Sequence, residues 1–387
     1  INKEDADKNT SKSGSALMNV LKFFTLYTNG YKVLDSLEGE YYKLNSDIYR
    51  YAPLMFDLEM TFRSRYHVND SAANAATTGS EFISIAKGLL YDIDKLVEKL
   101  EKSVSNDQIK AGIKFLKALK CSLNVIDAFN GLQEKSADSY FSQVSELKTL
   151  KMRYGDNIYP FLAVDPRREN MAGMILENVG KNKPFHGIKL YPPNGYSPTD
   201  PNLFDDSVKF INGMSLYSHC TENNIPVMTH CSNAGFASFV ENLEVWGDIH
   251  VDGNIIHYDK PEEIVFSSNN PFDFGKAVRE RASVLNHPKL WKQVLEKHKK
   301  LKICFAHFGG ESDEWRGEIA ELIRNNENAY TDLSCIDDRS RLENIRDNYF
   351  NGSFPAASKI MYGSDYYLNM LGNISFDAYY KNFAEVF

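Results

Sequence analysis

Short apolar runs that alternate with helical stretches predict an α/β fold, specifically a TIM-type (β/α)8 barrel. The runs are six to nine residues long and do not alternate with polar residues, which is typical of parallel strands that are buried on both faces. An open, doubly wound sheet is the main alternative. The Gly-x-Gly-x-x-Gly motif that would favour such a sheet does not follow the first run. We therefore expect the barrel.

Seven of these runs are interpreted as strands. In chain order they span residues 52–60, 158–164, 186–191, 225–230, 301–307, 328–334 and 359–365. A barrel of this type has eight strands, and nothing before residue 51 resembles one. The first strand is therefore expected to be missing from the chain as given, which opens on Ile1 rather than Met. A barrel that lacked it would leave a strand edge unpaired.

The intervals between the strands have helical periodicity. Helices are predicted at 205–220, at 288–299 with proline in the first turn, at 312–325 and at 376–387. Residues 81–151 also have a helical pattern, and the first fifty residues resemble a helix followed by a connector. Two intervals are much longer than one helix. They are interpreted as helical insertions, at 66–150 and 232–298, into a single domain that spans residues 1–387.

Composition excludes several classes of protein. The 387 residues carry a net charge of −8 and no basic patch, so a nucleic-acid partner is not expected. No apolar run approaches the ~20 residues of a membrane span, so no membrane partner is expected. The five cysteines include no Cys-x-x-Cys pair, which favours a reducing, cytoplasmic location over a disulfide framework. Cys304 and Cys335 are expected to be small, buried hydrophobic residues.

Chemically active side chains end most of the predicted strands. In a barrel, residues at the carboxyl ends of the strands face the active site. Those residues are Asp165, Lys189 with Tyr191, His230, His307, Ser334 and Asp365. Imidazole nitrogens and a carboxylate hold a zinc-like cation and leave one position open for water. Because such a cation lowers the pKa of its water towards neutrality, the pattern predicts a metal-dependent hydrolase.

Each of these residues also has a structural interpretation. His230 could be a hydrogen-bonded core histidine, and His307 could cap the glycine turn that follows it. Asp365 could cap the connection after its strand, and Lys189 could pair with a neighbouring carboxylate. We favour the active site because all four residues lie at strand ends.

The ordered motifs resemble the amidohydrolase superfamily. The segments are YPFLAVDPRR (159–168), GIKLYPP (187–193), PVMTHCS (226–232), KICFAHFGG (302–310), YTDLS (330–334) and YGSD (362–365). Over residues 150–370 they are similar to its amidohydrolase-2 branch, which includes decarboxylases as well as hydrolases. The resemblance implies a barrel that binds one or two divalent metal ions, with zinc as the expected metal.

The resemblance also implies roles for matching residues. His230 would be a metal ligand, and Asp365 would be both a ligand and the base that takes a proton from the metal-bound water. His307 would bind a second metal or polarise the substrate carbonyl. Lys189 matches a lysine that two-metal members carbamylate to bridge the ions. Family members carry a His-x-His pair at the end of the first strand, and this sequence contains none.

Three functions are consistent with these residues. The first is hydrolysis of an amide, lactone or ester of a small molecule. The second is non-oxidative decarboxylation of an aromatic or unsaturated acid, and the third is a non-catalytic barrel without metal. Arg167 could anchor a substrate carboxylate or lie in a solvated turn, and Tyr191 is expected to line the pocket. The insertions are expected to form the pocket rim or a contact between subunits of a homo-oligomer.

Overall fold

The computed structural model describes residues 51–57, 59–64, 125–235, 237–238, 240–266, 274–350, 358–365 and 376–387. The helix expected in the first fifty residues lies outside the described residues, and so does most of the insertion expected at 66–150. The last part of that insertion is described and belongs to a 30-residue helix, Val125–Tyr154, as its periodicity predicts.

The described residues contain eight strands. They are β1 (Phe161–Val164), β2 (Gly187–Leu190), β3 (Val227–Ser232), β4 (Asn242–Val251), β5 (Asn254–Val265), β6 (Ile303–Gly309), β7 (Ala329–Asp332) and β8 (Ile360–Met361). Six of them form a sheet in the order β1-β2-β3-β6-β7-β8, and every neighbouring pair is parallel. All six coincide with predicted strands. Chain order is kept across the sheet, as in a barrel, whereas a doubly wound sheet reverses at a switch point. This winding confirms the predicted fold class.

The segment predicted as the strand at 52–60 lies beside β1. It makes parallel bridges to the start of the sheet, one of them between Leu54 and Phe161, and then forms a 3-10 helix at Glu59–Phe62. Pro53 has no N–H to donate to a strand ladder, although its carbonyl accepts from Phe161 N at 2.9 Å. The segment therefore pairs with the edge of the sheet through bridges rather than as a full strand.

Nine α-helices lie in the described residues. They are α1 (Val125–Tyr154), α2 (Met171–Asn178), α3 (Pro201–Phe204), α4 (Leu216–Glu222), α5 (Phe274–Leu285), α6 (Pro288–Lys297), α7 (Asp313–Asn325), α8 (Arg339–Tyr349) and α9 (Phe376–Val386). The helices predicted at 288–299, 312–325 and 376–387 are confirmed as α6, α7 and α9. Within the described ranges, no helix is both long and apolar enough to cross a membrane.

The helix predicted at 205–220 is wrong over most of its length. Residues 206–208 form a 3-10 turn, and helix α4 occupies only the end of the range. Asn212 and Gly213 have φ angles of 51° and 82°, in the left-handed region that an α-helix does not use. This Asn-Gly pair makes a turn and breaks the periodic segment.

The insertion at 232–298 is not purely helical, because it contains an antiparallel hairpin. β4 and β5 pair along their lengths, and Asp252 and Gly253 connect them with φ angles of 48° and 82°. A type I′ turn needs this pair of left-handed residues. The hairpin packs on α5 through a small separate cluster made of Val240, Leu243, Val245, Ile249, Phe266 and Leu285.

The main core fills the space between the parallel sheet and its helices. Its buried members include Leu162, Ile188, Val227, Ile303 and Phe305 from the strands, and Ile175, Leu216, Trp291, Ile319 and Leu342 from the helices. Because a close-packed core allows little movement, it fixes the strands relative to one another. The side chains at the strand ends are fixed in the same way.

Candidate metal centre

The ends of four strands bring polar side chains together at one edge of the sheet. His230 lies in β3 and His307 in β6, while Cys335 follows β7 and Asp365 follows β8. The rings of His230 and His307 have centroids 4.9 Å apart. Parallel strands end at the same edge, so residues far apart in the chain meet there.

His307, Cys335 and Asp365 form a compact group of metal-capable side chains. Their ligand atoms lie within 4.8 Å of one another, and all three residues are half-buried. Cys335 Sγ donates to Asp365 Oδ2 at 3.1 Å. The ligand atoms of a tetrahedral cation stand about 3.5 Å apart. This set of one nitrogen, one sulphur and one oxygen donor therefore fits a divalent metal ion.

Cys335 is not the small buried hydrophobic residue that its sequence context predicts. Its thiol is half-buried and faces a carboxylate, whereas Cys304 is buried as predicted. The difference arises because Cys335 lies in the turn beyond β7 and not in the apolar strand itself. Cys335 is therefore a site residue that the sequence prediction missed.

The three residues of the group share an unusual backbone conformation. The φ angles of His307, Cys335 and Asp365 are 68°, 65° and 41°. This left-handed region costs about 1–3 kcal/mol for a residue other than glycine. Such strain persists only where the surrounding structure holds it, and it concentrates at functional sites. The surrounding structure therefore holds all three residues in a left-handed backbone conformation.

Asp332 and Ser334 orient His307. Ser334 Oγ donates to Asp332 Oδ1 at 2.5 Å and lies 2.8 Å from His307 Nδ1. A hydroxyl has a single proton, so Ser334 gives it to the carboxylate and accepts from Nδ1–H of His307. With Nδ1 used in this hydrogen bond, Nε2 is the ring nitrogen of His307 that can bind a cation. The sequence prediction named Ser334 but missed Asp332.

His230 lies beside this group rather than within it. Its ring contacts His307, but the metal-capable group found among the described residues does not include it. Its Nε2 lies 2.8 Å from the Ala234 carbonyl, and since a carbonyl only accepts, Nε2 must carry the proton and Nδ1 the lone pair. Burial, and then the charges of His307 and Lys189, hold the pKa of His230 well below its usual value. A neutral imidazole is the form that binds metal, and its role as a ligand stays a prediction.

Lys189 is buried in β2 close to the same acidic side chains. Burial lowers its pKa, against the opposing charges of Asp332 and Asp365. Its ammonium therefore lies within the electrostatic reach of the site. Carbamylation of Lys189 stays a prediction.

The family model for amidohydrolases of type 2 matches residues 146–385, more than half of the chain. The chain belongs to the amidohydrolase family. A comparison with curated proteins found no significant match.

Solved structures similar to this amidohydrolase include three from bacteria. An uncharacterised TIM-barrel protein from Bordetella bronchiseptica is 14% identical with a TM-score of 0.34, covering 62% of this chain and 70% of that one. 5-Carboxyvanillate decarboxylase from Novosphingobium aromaticivorans, complexed with manganese and 4-hydroxy-3-methoxy-5-nitrobenzoic acid, is 13% identical with a TM-score of 0.35, covering 65% and 68%. A dihydroxybenzoic acid decarboxylase from Polaromonas, with manganese and 2-nitroresorcinol, is 14% identical with a TM-score of 0.34, covering 65% and 76%.

Tyr191 forms an aromatic wall at the site of this amidohydrolase. Its ring stacks on His230 with centroids 4.3 Å apart, and Phe56 meets it edge-on at 4.9 Å. Its backbone N–H donates to Tyr196 Oη at 2.6 Å. The tyrosine predicted to line the pocket thus lies against one of the predicted ligands, and its contact with substrate stays a prediction.

Arg167 of this amidohydrolase is held by other groups of the protein. Its side chain has no exposed surface, so it is not in a solvated turn. The guanidinium pairs with Asp165 through two nitrogens, at 2.9 and 2.7 Å. It also donates to the carbonyls of Met60, Arg63 and Asn194. Protein groups therefore already bind the guanidinium from several sides, and the role of Arg167 as an anchor for a substrate carboxylate stays a prediction.

Proposed function

We propose that this amidohydrolase is a metal-dependent decarboxylase of a small aromatic carboxylic acid. The observation that carries the proposal is the group of His307, Cys335 and Asp365 beside an aromatic wall. The stacked rings of Tyr191 and His230 form that wall. A cation site next to flat rings suits a substrate that combines a carboxylate with an aromatic ring.

Asp365 is the proposed general acid. In a non-oxidative decarboxylation the bond between the ring carbon and the carboxyl carbon breaks, and carbon dioxide leaves. The bonding electrons stay on the ring carbon, which then takes a proton. Protonated Asp365 supplies this proton, while Tyr191 holds the ring by stacking. A divalent cation bound by the group, zinc in our expectation, supplies a Lewis acid for the substrate oxygens.

Hydrolysis of an amide, lactone or ester is the second candidate. Asp365 also supports this reaction, because a carboxylate beside a cation can take a proton from the attacking water. In hydrolysis the proton moves to Asp365, and in decarboxylation it moves from Asp365 to the ring. The two reactions would therefore use the same residues with opposite directions of proton transfer.

Carbon dioxide release from a panel of hydroxybenzoates tests the proposal. The metal-loaded protein should release carbon dioxide and phenol in equal amounts, and in D2O the phenol should carry deuterium at the former carboxyl position. Asp365→Asn should lower the rate by at least about 100-fold. Asp377→Asn is the control, since Asp377 is exposed on α9, and it should leave the rate unchanged.

A second panel of lactones and anilides supplies the opposing outcome. Hydrolysis of these compounds without carbon dioxide release from any acid would replace the decarboxylase with a hydrolase. Metal-loaded protein that acts on neither panel, and that fails to exchange the ring hydrogen of phenols with D2O, would overturn both candidates.

A further inference from the structure

We propose that Cys335 is a thiolate ligand of the cation and makes the site select zinc or cobalt(II) over manganese. The inference rests on the cation of the proposed function, and it adds the identity of one ligand and the class of metal. Thiolate is a soft ligand that favours zinc and cobalt, whereas sites made only of oxygen and nitrogen also suit manganese.

The position of the thiol supports this assignment. Sγ lies 3.1 Å from Asp365 Oδ2 and within 4.8 Å of the ligand atom of His307. The ligand atoms of a tetrahedral ion stand about 3.5 Å apart, so binding would need only a slight opening of the 3.1 Å contact and a shortening of any distance near the 4.8 Å limit. Cys335 is also the only half-buried cysteine among the described residues, since Cys220, Cys231 and Cys304 are buried.

The turn that carries Cys335 and the turn that carries Asp365 lie close together, and the Tyr379 hydroxyl lies between them. The Tyr379 hydroxyl on α9 donates to the carbonyl of Gly363 at 2.7 Å, and the carbonyl of Leu333 lies 3.3 Å from the same oxygen. A Cβ at Gly363 would lie 3.0 Å from Ser334 Cβ, so a side chain there would force the neighbouring turn to shift slightly. The thiol and the carboxylate are therefore held in place before any ion arrives, which lowers the cost of binding.

Binding a cation changes the bonding of the thiol. The S–H bond breaks, the proton leaves to solvent, and the sulphur lone pair forms the bond to the metal. The hydrogen bond from Sγ to Asp365 is lost in this step. Both Cys335 and Asp365 then bind the same ion.

Cobalt(II) titration of the full chain tests the proposal. Thiolate bound to cobalt gives a charge-transfer absorption in the near ultraviolet that imidazole and carboxylate ligands do not give. The native chain should develop this band with cobalt, and Cys335→Ser should not. Cys335→Ser should also weaken zinc binding by more than about tenfold and change manganese binding much less. Cys220→Ser is the control, because Cys220 lies in α4, and it should keep the band.

The alternative role for Cys335 is a hydrogen-bond donor that only orients Asp365. Serine preserves that bond, so an unchanged zinc affinity in Cys335→Ser, or a native chain that binds cobalt without the band, would overturn the proposal. Thermal unfolding of the metal-free variants shows whether each is folded. A chain that has the band but releases no carbon dioxide contradicts the proposed reaction while supporting the ligand. A chain that releases carbon dioxide without the band supports the proposed reaction and contradicts the thiolate ligand.

Discussion

Gly235 follows β3 and lies directly against two rings of the site. It has a φ of +105°, and a Cβ there would be 2.7 Å from Tyr191 Oη and 3.0 Å from His230 Cε1. Gly235→Ala should therefore combine backbone strain with displacement of Tyr191. We expect the free energy of unfolding to fall by about 1–2 kcal/mol and KM for an aromatic acid to rise. Urea unfolding and steady-state kinetics measure the two effects.

Gly213 provides the matched control for this residue. Its φ is +82°, but a Cβ there would meet nothing within 4 Å. Gly213→Ala should lose only about 1 kcal/mol, from strain, with KM unchanged. Equal KM values in the two variants would mean that the contact with Tyr191 has no role in substrate binding.

Single residues of the site were predictable when they stand at a strand end. His307 and Asp365 belong to this class, because strand order alone brings such residues together. Cys335 was missed because a cysteine near an apolar run usually packs as a hydrophobic residue, and only the turn geometry reveals its thiol. The partners of Arg167 were not predictable, because they include carbonyls of residues more than a hundred positions away, and a sequence does not display such contacts.

Among the elements, the buried parallel strands were the most predictable. Their continuous apolar runs follow directly from burial on both faces, and all six coincide with strands of the sheet. The β4–β5 hairpin was missed, although Asp252-Gly253 is a strong turn signal. β5 is exposed along most of its length, so it has no apolar face for a pattern to reveal. Local turn chemistry was the informative signal there.

A pair of stacked histidines joins this hairpin to the helices behind it. His250 on β4 and His287 at the start of α6 have ring centroids 3.8 Å apart, and both are buried. Burial, followed by the charges of His250 and Lys289, lowers the pKa of His287 from 6.5 to about 3. Glu314 Oε1 lies 3.6 Å from its Nε2, which is too weak an interaction to reverse that shift. The His287 ring of this stacked pair is therefore uncharged in the folded protein near neutral pH.

The His287 pKa predicts how stability depends on pH. Between pH 6.5 and 3 the unfolded chain binds a proton at this residue and the folded chain does not, so stability falls as the pH falls below 6.5. By pH 5 the loss is about 2 kcal/mol. His287→Asn keeps a side chain that can accept from Lys289 N at the start of α6 and removes the titration. We expect the variant to lose about 2 kcal/mol less than the native chain between pH 7.5 and pH 5, measured by urea unfolding.

His257 on β5 gives a control of opposite sign. Its hydrogen bond to Asp248 raises its pKa, so its contribution is present below the unfolded pKa and is lost as the pH rises. His257→Asn should therefore steepen the loss of stability towards acid pH. If the free energy of unfolding of the native chain and of His287→Asn fell by the same amount between pH 7.5 and pH 5, the stacked pair would not be the cause of the loss of stability at acid pH.

At the scale of the whole molecule, two arginines connect the segment at residues 51–64 to the parallel sheet. The guanidinium of Arg167 joins three parts of the chain: the 3-10 turn at Glu59–Phe62, the end of β1 through Asp165, and the turn after β2 through Asn194. The neighbouring Arg168 binds Asp57 and Glu59 and so strengthens the same connection. Segments distant in sequence are thus fixed at the edge of the sheet where β1 ends.

Replacing Arg167 tests whether this charge holds the molecule together. The ion pair with Asp165 is almost fully buried, with 0% and 2% of the two side chains exposed, and removing one partner of such a pair leaves an uncompensated charge. Arg167→Met should lower the free energy of unfolding by about 3–5 kcal/mol, measured by urea unfolding. Arg346→Met removes an ion pair whose side chains are 40% and 63% exposed, and it should change the free energy of unfolding far less, because water screens an exposed pair. A loss for Arg167→Met as small as that of Arg346→Met would mean that packing alone holds the segment at residues 51–64 on the sheet.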